Sequence, residues 1–154
     1  MRDKKKITKK QFSYFNKIPY KFKFITIEAL LLMALTRFSI LFIPFRHVAS
    51  IMGKSMCETT EEIDPELLMT AKQITWLINK ISRYTPWESK CLVKALTAQI
   101  MLKKRRIPCT LYLGMAKDKT NKLSAHAWLR CGNSILLGEN ERSGFVTVAY
   151  FGVY

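Results

Sequence analysis

The stretch Trp87-Glu88-Ser89-Lys90-Cys91, "WESKC", with the helical pattern it opens from Leu92 to about Arg106, decides how this chain is read. A cysteine at the start of a helix sits in the positive end of the helix dipole, which favours thiolate over thiol and makes a nucleophile. Thirty-five residues on, Ala125-His126-Ala127-Trp128 falls in a run that alternates like a strand. A histidine presented by a strand is the partner such a thiol needs. Cys91 and His126 are therefore the candidate catalytic pair.

Two caps compete for the helix start. Thr85-Pro86-Trp87-Glu88 fits a capping box with proline in the first turn, while Ser89 fits a cap one residue closer to Cys91. With Ser89, Cys91 lies in the first turn, where free backbone N–H groups stabilise both a thiolate and a developing oxyanion. With Thr85 it lies a turn deeper and gains less. The apolar positions Leu92, Val93, Leu96, Ile100 and Leu102 make the helix amphipathic, and Lys103, Lys104, Arg105 and Arg106 close it with charges that suit its negative end.

After Pro108 the period changes to two. Cys109, Leu111, Leu113 and Met115 alternate with Thr110 and Tyr112, which predicts a strand ending near Gly114, followed by a polar turn over Lys117–Lys122. Leu123–Cys131 and Ser134–Leu137 read as a hairpin about Gly132-Asn133, and Phe145–Phe151 as a last strand. The helix that begins near Cys91 can cover this small antiparallel sheet. A two-residue turn pairs Cys131 with Ser134, and counting outward sets Glu139 opposite His126. A carboxylate there would hold the imidazole tautomer and stabilise the imidazolium. Asn140 and Asn133 are the substitutes for that third role.

Upstream, the chain changes character more than once. Residues Met1–Lys10 form a run of charge read as a basic tail, and no apolar core with a small-residue cleavage site marks a secretory signal. Phe24–Phe45 is the most hydrophobic stretch, interrupted by Glu28 and Arg37, and is read as a buried helix that Pro44 ends or kinks. Its basic flank also suits attachment at a membrane surface, the second reading. A linker follows over Gly53–Ile63. Asp64-Pro65 then starts a helix to about Tyr84, with Leu67, Leu68, Ile74, Leu77, Ile78 and Ile81 at core spacing and Trp76 at the edge of that face. The expected organisation is α+β: a basic tail over 1–22, a helical annex over 23–84 and a core over 85–154.

Cys57, Cys91, Cys109 and Cys131 contain no C-x-x-C pair, and the chain has two histidines, so neither zinc spacing nor a disulfide framework is expected. A reducing compartment leaves the thiols free. Cys109 and Cys131 are read as buried in strands, with Cys131 pointing away from His126. The net charge of +15 implies attraction to anionic partners, yet no nucleic-acid recognition motif is present and the basic residues are not striped with aromatics.

The segments "PWESKCLVKALTAQIMLKKRRIPCTLYLGM", "SAHAWLRCGNSILLG" and "FVTVAYFG" resemble the lasso peptide biosynthesis B2 proteins, transglutaminase-like leader peptidases. The resemblance implies a transglutaminase-like or papain-like core. It also implies a cytoplasmic cysteine endopeptidase, without cofactor or metal, that removes the leader from a ribosomally made lasso precursor. Cys91 matches its nucleophile and His126 its base and acid. Implied partners are the precursor, a separate winged-helix leader-binding protein and an ATP-dependent, asparagine-synthetase-like macrolactam cyclase. Many relatives carry an aspartate as third residue; none stands at that place here. The competing reading is a non-catalytic basic protein that binds the leader peptide or a membrane surface, contacting the membrane through residues 24–45.

Overall fold

The computed structural model describes residues 20–87, 89–117, 121–140 and 142–154. The expected basic tail lies outside them as far as residue 19, as do Glu88 and the middle of the polar turn, 118–120. Among the described residues, four helices, α1 (Tyr20–Phe42), α2 (Phe45–Ile51), α3 (Pro65–Ile81) and α4 (Cys91–Lys104), pack with five strands: β1 (Lys54–Ser55), β2 (Cys109–Lys117), β3 (Leu123–Cys131), β4 (Ser134–Leu137) and β5 (Val146–Val153). The strands form one antiparallel sheet in the order β1-β5-β2-β3-β4.

The centre of the molecule is α4. Its buried residues, Val93, Ala95, Leu96, Thr97, Ala98, Gln99, Met101 and Leu102, cover its whole circumference, so it is enclosed rather than amphipathic. The sheet covers one side and α1 and α3 the other. Two of its buried polar side chains bond to the layers on either side, although Gln99 Oε1 is buried without a hydrogen-bond partner. Thr97 Oγ1 donates to Thr36 Oγ1 of α1 at 3.3 Å, and Gln99 Nε2 donates to the Phe151 carbonyl of β5 at 2.9 Å.

Local chemistry sets the helix ends. Asp64 caps α3 by accepting from the Glu66 N–H at 2.7 Å, with Pro65 at the first position, and the helix stops at Ile81, short of Tyr84. Ala71, Ile74, Thr75, Leu77, Ile78 and Ile81 form its buried face, while Leu67 and Trp76 are exposed. At the end of α4, Arg106 takes a left-handed φ of 55°, and the Ile107 and Arg106 N–H groups return to the Leu102 and Lys103 carbonyls at 3.0 Å each. This satisfies the last carbonyls of the helix.

Three expectations are corrected. The linker contains a short strand, β1, which completes an edge of the sheet by pairing Lys54 with Gly152 and Ser55 with Phe151. Strand β2 continues past Gly114 to Lys117, because it stays paired with β3 throughout. The apolar α1 is not buried on all sides. Thr26, Ala29, Met33 and Thr36 face the core, but most residues of Phe22–Phe42 are not buried, and the segment has a mean hydropathy of 1.9 and a length sufficient to cross a membrane.

An ion-pair cluster joins α1 to the end of α4. Glu28 accepts from Lys104 Nζ at 2.6 Å and from Arg105 at 2.7 Å. Burial pushes the Glu28 carboxyl up, but the Arg105 and Lys104 hydrogen bonds and charges outweigh it and hold it below its ordinary value. A carboxyl whose folded pKa is depressed adds stability above its unfolded pKa and loses it as pH falls through the folded one. Urea denaturation of wild type and Glu28→Gln is therefore expected to show a gap at pH 7 that closes towards pH 3; a gap constant with pH would refute this role for the cluster.

Candidate functional site

Lys90 is the N-cap of α4, in extended conformation, and Cys91 is its first residue. Neither expected side-chain cap forms. The Thr85 and Ser89 hydroxyls instead bond each other at 2.9 Å, and Thr85 also donates to the Ser82 and Trp87 carbonyls at 3.0 Å. This knot of bonds turns the chain into the helix. The first bond of α4 runs from the Lys94 N–H to the Lys90 carbonyl at 3.2 Å, so the Cys91, Leu92 and Val93 N–H groups precede the intrahelical ladder. Cys91 thus stands in the first turn, as the Ser89 alternative required, although a different residue occupies the cap. Its side chain is half-buried against the core beside α4, as is that of Trp87. The Trp87 indole Nε1 is buried without a hydrogen-bond partner, a state that costs about 1–3 kcal/mol.

His126 lies in β3 opposite Gly114 of β2 and is 5% exposed. The alternation of β3 sends Ala127, Leu129 and Cys131 into the core that contains α4. His126, Trp128 and Arg130 occupy the other face. There the imidazole lies 6.0 Å from the Trp128 ring and 5.2 Å from Phe145, centroid to centroid, and Tyr112 stacks on Trp128 at 5.6 Å. Its Nε2 sits 3.1 Å from the Gly138 carbonyl oxygen. A carbonyl only accepts, so in this contact Nε2 carries a proton and donates it. The structure brings the helix of Cys91 and the strand of His126 together; among the described residues no hydrogen bond joins the thiol to the imidazole.

The third-residue count changes. Cys131 pairs with Ser134 as expected, but a bulge between Leu129 and Arg130 pairs Leu129 with Leu137. That extra residue shifts the outward count by one, from Glu139 to Asn140 opposite His126, and β4 ends before either at Leu137. Both side chains lie exposed in the following turn, where the Glu139 carbonyl accepts from the Arg142 N–H at 3.2 Å. Asn133 sits in the hairpin turn at the far end of β3, roughly 17 Å along the strand from His126. Gly138, which the sequence reading did not single out, sets its carbonyl against the imidazole.

The other thiols are separated by burial. Burial, then the neighbouring Cys131, pushes the Cys109 thiol far above its ordinary value. Burial raises Cys131 to about 11 against the opposing charge of Arg130, and its Sγ donates to the Pro108 carbonyl at 3.2 Å. Neither supplies thiolate at neutral pH. Cys57 is half-buried with its Sγ 3.3 Å from the Tyr154 hydroxyl.

The face of His126 carries more than the histidine. A cavity of about 300 Å³ is lined by Tyr112, Trp128, Arg130, Ile135, Arg142, Phe145 and Thr147. Arg130 is fixed by donation to Tyr112 Oη at 2.8 Å, the Gly132 carbonyl at 2.7 Å and the Thr59 carbonyl at 2.9 Å. The spacing His126-x-Trp128-x-Arg130, with apolar residues between, was the sequence signal for this second face.

Residues 32–150 match the family model described as "Transglutaminase-like superfamily", more than half of the chain. No curated protein and no solved structure gives a significant match.

Gly138 provides a local test. Its φ is +79°, and a Cβ there would fall 2.7 Å from the Ala127 carbonyl and 2.9 Å from His126 Nε2; at Gly144, with φ +98°, a Cβ would meet nothing within 4 Å. Both alanine substitutions carry backbone strain of about 1 kcal/mol, and Gly138→Ala adds a clash of roughly 1–3 kcal/mol. Urea denaturation should show the larger loss for Gly138→Ala. Equal losses would mean that the backbone does not hold the imidazole as described.

Proposed function

The chain belongs to the transglutaminase-like superfamily, which includes cysteine peptidases, and from that membership we propose that it is a cysteine endopeptidase that removes the leader from a ribosomally made lasso peptide precursor. The observation that carries this reading is the position of Cys91: the first residue of the central helix, next to backbone N–H groups that precede the ladder. Its substrate class comes from the resemblance of the segments around Cys91 and His126 to the lasso B2 proteins.

The chemistry follows from those groups. Cys91 Sγ attacks the carbonyl at the leader–core junction while His126 takes the thiol proton. The tetrahedral oxyanion is met by the Cys91 N–H. Collapse breaks the C–N bond, His126 gives its proton to the leaving amine, and the core peptide departs with a free N-terminus. Water, deprotonated by His126, then hydrolyses the thioester and restores the thiol. This sequence needs no cofactor or metal. It also requires the imidazole to reach Cys91 in the working complex, through rearrangement at the Gly138 contact; catalytic hydrogen bonds are often long or absent in apo structures and form with substrate. In this reading the Gly138 carbonyl holds the tautomer in the resting protein, and Glu139 or Asn140 takes the third role on rearrangement. The work is done in the cytoplasm, with a separate winged-helix leader-binding protein and the macrolactam cyclase as partners.

One observation favours a second reading. The concave surface lies on the face of His126 and carries Arg130, Arg142 and aromatic rings, which suits non-catalytic binding of an acidic leader peptide.

A mass-spectrometric assay separates the two. Precursor encoded beside this protein, mixed with it and the leader-binding partner, should release the leader, with a loss of at least about 10³-fold for Cys91→Ala and His126→Ala and a smaller loss for Glu139→Gln if that residue takes the third role. Precursor that is bound but left intact would overturn the peptidase reading in favour of the scaffold.

A further inference from the structure

We propose that the outer face of α1 is an interfacial docking surface for an anionic lipid bilayer, on which the protein lies rather than spans. The inference is independent of the peptidase reading. Phe24, Ile27, Leu31, Leu35, Phe38 and Phe42 follow one another at steps of three and four residues, so they form a single stripe along the helix, roughly 27 Å long. Each is between 48% and 70% exposed, and Ile43, Phe45 and Ile51 are further exposed apolar residues past Phe42. The stripe presents on the order of 600 Å² of apolar surface, at the upper end of what a monomeric soluble protein shows to water.

The opposite face of the same helix argues against crossing. Thr26, Ala29, Met33 and Thr36 are buried in the core, Thr36 accepts from Thr97, and Glu28 is ion-paired to Lys104 and Arg105. A spanning helix would have to give up this packing and carry Glu28 into hydrocarbon. Only the outer stripe is offered, which is the geometry of a helix lying in the interface.

Charge selects the occupant. Residues 1–23, which lead into the stripe, contain nine lysines and arginines and one aspartate, in a chain of net charge +15. A strongly basic chain and an exposed apolar helix stripe supply the two signals that stable attachment to an anionic leaflet needs. A second copy of the chain docked on the stripe would bring two strongly positive molecules together.

Sedimentation of the full chain with vesicles tests the proposal. Binding is expected to phosphatidylcholine vesicles containing about a third phosphatidylglycerol, to weaken in salt, and to be much lower without the anionic lipid. The double variant Leu31→Glu, Leu35→Glu should bind at least about tenfold more weakly. Should that variant misfold by circular dichroism, Phe38→Trp decides: its added indole emission should be quenched by brominated acyl chains. Undiminished binding by the folded double variant, an unquenched indole, or a dimer in solution that ignores the vesicles would each overturn the proposal, the last in favour of a second copy.

Discussion

Enclosing α4 on every side is the constraint from which the rest of the structure follows. A helix whose whole circumference is buried must satisfy its polar side chains inside the protein, since water cannot reach them. Thr97 does so through Thr36 of α1, and the Gln99 amide nitrogen through the backbone of β5, while the Gln99 amide oxygen is left without a partner. Those two bonds point in different directions, one to the helical layer and one to the sheet, and so fix α4 between them. The ends of α4 are fixed as well. Its C-terminus carries the left-handed Arg106 and the Glu28 clamp, and its N-terminus is entered through the Thr85–Ser89 knot. The result places Cys91 at the start of the central helix, next to backbone N–H groups that precede the ladder.

The same enclosure explains the sheet. One face of β2, β3 and β5 must be apolar to meet α4, and Leu111, Ala127, Leu129, Cys131, Phe151 and Val153 meet that demand. The opposite face is then free for chemistry of another kind. It holds aromatic rings, Arg130 and His126, roofed in part by the segment around Thr59, whose N–H donates to Thr110 Oγ1 at 2.9 Å. The two candidate catalytic groups therefore belong to different layers: the thiol to the buried helix, the imidazole to the aromatic face, where the Gly138 carbonyl holds it.

Much of this was legible in the residues. Asp64-Pro65 announced α3, Pro44 the break after α1, Pro108 the change from helix to strand, and Gly132-Asn133 the hairpin, because each of those residue types restricts the backbone locally. What escaped depends on distant pairing. The strand at Lys54–Ser55 exists because β5 offers an edge, and nothing in its two residues signals it. The bulge at Leu129/Arg130 leaves the alternation pattern nearly intact, yet moves every later partner by one, which is why counting from the turn gave Glu139. The helical wheel of α1 read as core on all sides, since apolar residues alone do not tell which of two apolar faces the fold will cover. For the site, alternation did place Cys131 away from His126. Carried one step further, it also places His126 away from Ala127 and Leu129, and so off the layer of Cys91.

The measurement that bears most directly on the central claim is the rate of Cys91 alkylation by iodoacetamide across pH, followed by peptide mapping, in wild type and His126→Ala with leader peptide and leader-binding partner present, since the imidazole reaches the thiol only in the working complex. If the two groups work as a pair, wild-type Cys91 reacts faster near neutral pH than Cys57, and the histidine variant loses that advantage by about tenfold or more. A Cys91 rate that is unchanged by His126→Ala at every pH would contradict the account, leaving a transglutaminase-like fold whose cysteine and histidine act separately.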